Sequence, residues 1–376
     1  MGSTGTKPQL NHTKLQPIPS DSATNEFNFK RSLDYREVLV QNKKYVPSSS
    51  APPSPPSLPP DPDTAAAFAG QSTPVQATET INFGTQPATM PIYIAKGLGL
   101  IGEIEKKHDV KIEFKVFSYG APENQALAAG ELQIASAGMG PAIVAAARLP
   151  AKLLAISILE QTAIIIPSDS PITSVAELKG KKIAYPGKGS QQYPLLVKAL
   201  ADAGLKIGDV ELFKTKGSDV PTLLANKSVD AGIVWDPHVS NALAAGHSKV
   251  LIKAEKILPI KAGHYIGNGV YAREDFIAAK PELVQDLITS IVKAIDFILK
   301  NEDKAVKMWS EQIKFPEKVI SYALKEGISV YNLDVAPEAS TIDTYTKFLK
   351  DAGILKPEDN PKFDPSFAKK ALAEFK

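Results

Sequence analysis

Three short segments place small and hydrogen-bonding residues where a strand gives way to a helix. They are Thr85–Pro91 (TQPATMP), Ser136–Pro141 (SAGMGP) and Gly187–Tyr193 (GKGSQQY). The first turn of a helix exposes unpaired backbone N–H groups and a partial positive charge, so such turns suit an anion. Gly138, Gly140 and Gly189 let a ligand approach the main chain closely. Any one such turn is common in α/β proteins; three together predict a ligand site at the carboxyl ends of strands. Gly187–Ser190 (GKGS) lacks the glycine spacing and the Gly-Lys-Ser/Thr order of a phosphate loop, and reads more simply as a tight turn with Ser190 as a cap. Gly97–Gly102 (GLGLIG) matches a dinucleotide fingerprint by letter only, because it follows a helical rather than a strand pattern.

Other chemistry is sparse. Trp235 and Asp236 end a strand-like run (VDAGIVWDP). The indole offers a broad apolar face and one donor, and the carboxylate would favour an ammonium or hydroxyl if it faces a cleft. The five histidines, His12, His108, His238, His247 and His264, form no close ligand pair, and the chain has no cysteine, so neither a metal nor another cofactor is expected. His264 stands out within GHYIGNG, where the chain is expected to return between halves. No nucleophile elbow or nucleophile–base pair is evident, so catalysis is not expected. Only Arg31, Arg36, Arg148 and Arg273 occur, none of them in the three turns. An anion would therefore depend on backbone N–H groups, hydroxyls and amides, with Lys188 the nearest cation, rather than on a guanidinium fork.

These turns need a scaffold, and the periodicity from about residue 79 supplies one. Lys111–Phe117 alternates as a strand, Pro122–Ala129 reads as a helix stopped by Gly130, and Pro141–Arg148 reads as a helix with proline in its first turn. The same alternation recurs through residues 175–252, and Pro281–Lys300 carries an apolar stripe from Leu283 to Ile298. This pattern predicts an α/β fold of two lobes, each a mainly parallel sheet flanked by helices. With 376 residues, 43 basic against 41 acidic side chains and a net charge of +2, strong generic nucleic-acid binding is not expected. The longest apolar run, Ala142–Ile166, is broken by Arg148, Lys152 and Glu160, so no spanning helix is predicted.

The N-terminal 1–78 differ in texture. Pro47–Pro62 (PSSSAPPSPPSLPPDP) lacks the apolar side chains of a core and reads as a semi-rigid polyproline spacer of about 50 Å, with a PxxP ligand for an SH3-like partner as the alternative. Met1–Thr6 reads as an expression scar.

Residues 79–376 resemble the periplasmic solute-binding proteins of ABC importers, of the taurine, aliphatic sulfonate and nitrate type that also includes pyrimidine-precursor binders. The resemblance is carried, in order, by Pro91–Gly99 (PIYIAKGLG), Gln125–Ala137 (QALAAGELQIASA), Val175–Ala184 (VAELKGKKIA), Gly189–Leu196 (GSQQYPLL), Val229–Pro237 (VDAGIVWDP) and Lys280–Val284 (KPELV). It departs at Gln133, where Asp is usual, and at Gln192, where His is common. The resemblance implies a type II periplasmic-binding-protein fold, with residues 79–166 as the first part of lobe one, 167–262 as lobe two, and 263–376 returning to lobe one and its C-terminal helices. By carry-over, Gln86, Met139, Ser190, Gln191, Trp235 and Asp236 would line the cleft, with Tyr119, Gln192, His264 and Asn268 as further candidates. The implied activity is capture of a small polar organic solute by lobe closure, favouring a sulfonate or taurine-like anion. Nitrate, bicarbonate or a pyrimidine precursor are the alternative ligands, and an enzyme with His264 as base is the alternative class. The yeast pyrimidine synthases of this family depend on a cysteine-rich motif that is absent here. The implied partner is an ABC permease. The implied setting is the periplasm or cell exterior, as a monomer, with an export signal or anchor ahead of the proline-rich extension, which would serve as a tether.

Overall fold

A computed structural model describes residues 78–375. The expected spacer and tether lie outside the described residues.

The chain first builds β1 (Glu79–Thr85), α1 (Met90–Gly97), α2 (Leu100–His108), β2 (Val110–Val116), α3 (Gly120–Ala128), β3 (Ile134–Gly138), α4 (Met139–Arg148) and β4 (Ala151–Ile158). Gly99, whose φ of +81° suits glycine, separates α1 from α2. The chain then crosses to a second group: β5 (Thr162–Pro167), β6 (Lys182–Tyr185), α5 (Gln192–Asp202), β7 (Glu211–Lys214), α6 (Val220–Ala225), β8 (Ala231–Trp235), α7 (His238–Ala244), β9 (Ser248–Lys253) and α8 (Ala254–Ile257). It returns through β10 (Asn268–Arg273) and continues into α9 (Glu274–Ala279), α10 (Pro281–Lys300), α11 (Glu302–Ile313), α12 (Glu317–Lys325), α13 (Ala339–Asp351) and α14 (Ser366–Ala373).

Among the described residues two five-stranded sheets result, ordered β2-β1-β3-β10-β4 and β7-β6-β8-β5-β9. In the first, β1 runs parallel to β2 and β3, and only β10 runs against its neighbours. In the second, β6 runs parallel to β7 and β8, and only β5 runs against its neighbours. Each sheet therefore has four strands pointing one way and one reversed. The reversed strand is in each case the one that enters from the other lobe. A chain arriving at the cleft edge must run away from the cleft, whereas the remaining strands end there. The cleft is thus bordered by strand carboxyl ends and helix beginnings, as in other open α/β sheets.

Burial follows the sequence periodicity. Leu283, Leu287, Ile291, Ala294, Ile295 and Ile298 of α10 are all buried, and the helix packs on α1 and α14. Each of these leucine and isoleucine side chains stabilises the fold by about 1.5–3 kcal/mol. Among the described residues no helix is long and apolar enough to cross a membrane.

Candidate ligand-binding site

The three turns border one narrow cavity between the lobes. Lobe one contributes Gln86, Tyr119, Gly120, Gly138 and Pro141, and lobe two contributes Ser190, Gln191, Gln192 and Trp235. Gln161, in the first crossing segment, completes the lining. None of these side chains is charged. Tyr119 and Gly120 begin α3, Gly138 precedes α4, and Gln191 and Gln192 begin α5, so the N-terminal ends of three helices meet here. Their unpaired N–H groups and aligned dipoles make the cavity electropositive without a cationic side chain.

Local bonding fixes each group. The Gln86 carbonyl accepts from Thr89 N (3.0 Å) and Thr89 Oγ1 (2.7 Å), closing the β1–α1 turn, while its amide Nε2 donates to Glu123 Oε2 at 2.7 Å. Ser190 Oγ donates to Gly187 O at 2.7 Å, which makes Ser190 a turn former rather than a helix cap. Gln192 Nε2 donates to Thr162 Oγ1 at 3.1 Å. Gln161 Nε2 donates to Asn268 Oδ1 at 2.6 Å. Gln191 reaches across the cleft, and its Oε1 accepts from Gly140 N at 3.4 Å, at the start of α4. Gln191 Nε2 and Asn268 Nδ2 are buried donors without an acceptor, each costing about 1–3 kcal/mol until one is supplied.

Close packing across the cleft depends on glycine. A Cβ at Gly189 would lie 2.5 Å from Ala121 Cβ of the other lobe, and one at Gly138 would lie 2.9 Å from Gln191 Oε1. Trp235, 6% exposed, is supported from behind by His238 at 5.5 Å between ring centroids, and His238 in turn by Phe315 at 5.8 Å. Burial lowers His238 to about 4, so this support is a neutral imidazole at physiological pH.

Of the residues expected from the sequence, Gln86, Tyr119, Ser190, Gln191, Gln192 and Trp235 line the cavity. The others lie outside its lining. Met139 is wholly buried in the core, and its N–H is taken by Gly267 O. Asn268 acts one step back, holding Gln161. Asp236 is 1% exposed: its Oδ1 accepts from Ser240 N (3.0 Å) and Oγ (2.7 Å), and its Oδ2 from Ser329 Oγ (2.7 Å). Burial, only partly offset by those bonds, pushes its carboxyl up to about 6. Facing inward, Asp236 ties the β8–α7 turn to the segment after α12 and offers no oxygen to the cavity. His264 lies in the second crossing segment, beside Glu255 and Glu160 rather than against the cavity.

Two residues escaped the sequence reading. Gln161 belongs to no motif and reaches the cavity only because the first crossing is so short. Glu123 lies on α3, wholly buried behind Gln86, and burial pushes its carboxyl up to about 8. It is therefore neutral at pH 7, and the cleft carries no fixed negative charge there.

Comparison with known proteins places the fold and the family. Over 226 residues the chain is 30% identical to a protein of Brucella abortus named "Putative binding protein", covering 60% of this chain and 69% of that one. Over 299 residues it is 28% identical to the "Putative aliphatic sulfonates-binding protein" of Bacillus subtilis, covering 78% and 88%. The crystal structure of the periplasmic aliphatic sulphonate binding protein SsuA from Escherichia coli superposes with a TM-score of 0.62 at 23% identity, covering 75% of this chain and 95% of that one. This last likeness is one of fold, and it shows the periplasmic binding protein architecture. Residues 86–305 match the family model described as "NMT1/THI5 like", and with over half of its length inside that match, the chain belongs to the NMT1/THI5 like family.

Proposed function

We propose that this protein is the extracytoplasmic solute receptor of an ABC importer and that its cleft captures a small alkanesulfonate-class anion. The observation that carries this reading is the convergence of three helix N-termini on a cavity with no charged side chain. Such a site holds an anion by main-chain N–H groups and amides alone. Gln191 Oε1 already rests on the Gly140 N–H, the place an anionic oxygen would take. Trp235 and Tyr119 add aromatic faces for an alkyl chain, which favours an alkanesulfonate over bare nitrate. The relatives named for aliphatic sulfonates and taurine support the same class. The cavity is small, so capture requires the lobes to part and close again around the solute, and the closed form is the one that docks on a permease.

The reading is capture without chemistry. Ser190 has no base beside it, and His264 lies outside the lining, which removes the geometric basis for His264 as a base. Titration calorimetry of the full chain against ethanesulfonate, taurine, nitrate and bicarbonate tests the proposal. Saturable one-to-one binding of a sulfonate, with the sulfonate recovered unchanged, is expected. Binding of nitrate alone, or of none of the panel, would overturn it.

A further inference from the structure

The lobes are joined where the chain crosses at residues 159–161 and again at 258–267. Glu160 lies in the first crossing, His264 in the second, and Glu255 on α8 of lobe two, next to the second. Their donor atoms all lie within 4.8 Å of one another. His264 Nδ1 is 3.3 Å from Glu255 Oε2 and 4.0 Å from Glu160 Oε1. We propose that Glu160, Glu255 and His264 form a divalent transition-metal site on the hinge, with zinc as the fitting ion.

The geometry supports this. Tetrahedral zinc with bonds of about 2.0–2.1 Å separates its donors by roughly 3.3 Å. One pair already has that spacing, and all three donor atoms lie within 4.8 Å of one another. One imidazole and two carboxylates are ligand types that zinc accepts, leaving a fourth position for water. His264 Nδ1 is fully enclosed yet makes no hydrogen bond among the described residues, with the two carboxylates as its nearest polar neighbours. The Glu160 side chain is 2% exposed, and among the described residues no lysine or arginine is in ion-pair contact with it. Its Oε1 is oriented by the Tyr265 N–H at 2.6 Å, the kind of outer support metal ligands receive. Lys256 approaches Glu255 at Oε1, 3.8 Å away, leaving Oε2 for the ion. Glu255 and His264 are 21% and 31% exposed, so an ion can enter from solvent. Sequence spacing hides the set, because 160 and 264 meet only through the two crossings.

An ion here links both crossing segments to lobe two and stiffens the hinge. The test uses the chelator-treated full chain, titrated with zinc by calorimetry and with cobalt(II) by visible absorption. One ion per chain is expected, with the intense visible bands of low-coordinate cobalt and a rise in the thermal unfolding midpoint. His264→Ala should weaken zinc on the order of tenfold or more and remove the cobalt bands, and Glu160→Gln and Glu255→Gln should do likewise. His247→Ala, an exposed histidine elsewhere, should change nothing. Glu160→Gln removes a buried group and can impair folding, but His264→Ala changes a half-exposed ring and decides the matter alone. No binding at millimolar zinc, or undiminished binding and cobalt bands in His264→Ala, would overturn the proposal.

Discussion

Gln86 and Glu123 form a buried pair behind the cleft: the Gln86 amide donates to Glu123 Oε2 at 2.7 Å, and Glu123 Oε1 has no partner. Gly84 makes room for this carboxyl, since a Cβ there would lie 2.9 Å from Glu123 Oε1. By donating its NH₂ to this carboxyl, Gln86 turns its amide nitrogen inward. The pair sets both the polarity of Gln86 and the local charge.

A pH dependence follows. Glu123 stays protonated in the fold up to about 8, whereas the unfolded chain ionises it near 4.5. The native state therefore binds the extra proton between these values. The contribution is fully present below 4.5 and is lost as pH rises through 8, by on the order of a few kcal/mol. Glu123→Gln should be more stable than the wild type at pH 9 and close to it at pH 4, measured by urea unfolding. Anion affinity should fall above pH 8 in the wild type and stay level in Glu123→Gln. An unchanged difference across that range would exclude this role.

Closure depends on Gly189. A methyl group there meets Ala121 Cβ at 2.5 Å across the cleft. Gly189→Ala should leave the unfolding midpoint nearly unchanged while weakening sulfonate binding by about tenfold, equivalent to roughly 1.4 kcal/mol. Calorimetry gives the affinity, and small-angle scattering with ligand present should show a more open molecule. Wild-type affinity in the variant would mean that the lobes do not close at this contact.

Asp236 gives a contrasting expectation. Its three hydrogen bonds are internal, so Asp236→Ala should cost about 1–3 kcal/mol of stability by stranding Ser240 and Ser329. The preference between taurine and ethanesulfonate should not change. A selective loss of taurine would place the carboxylate against an ammonium after all.

Trp235 should report binding. The chain has two tryptophans, and Trp309 is enclosed in a separate core, 1% exposed. Sulfonate should alter the intrinsic fluorescence of the wild type, and Trp235→Phe should abolish the change. A persisting signal would move the site away from β8.

Much of the fold was legible because its signals are local. The alternation of Lys111–Phe117, the stripe on Pro281–Lys300 and the glycine stop at Gly130 each mark one element. The mainly parallel character of the sheets was legible too. The reversed strand β10 was not, because Asn268–Arg273 reads as a loop followed by a short apolar run, and its antiparallel pairing with β3 and β4 is a long-range fact. The three turns were readable as helix starts. The inward turn of Asp236 was not, since whether a carboxylate at a strand end faces a cleft depends on Ser329, 93 residues away. Glu123 was hidden for a similar reason: a glutamate in the first turn of a helix normally faces solvent, and only the space over Gly84 encloses it.

The most direct test is a crystal structure of the full chain grown with ethanesulfonate. The account predicts the sulfonate in the cleft, its oxygens on the Gly140 N–H and the Gln191 and Gln192 amides, with Gln191 Oε1 displaced from Gly140. A sulfonate bound elsewhere, with the Gln191–Gly140 contact intact, would contradict it.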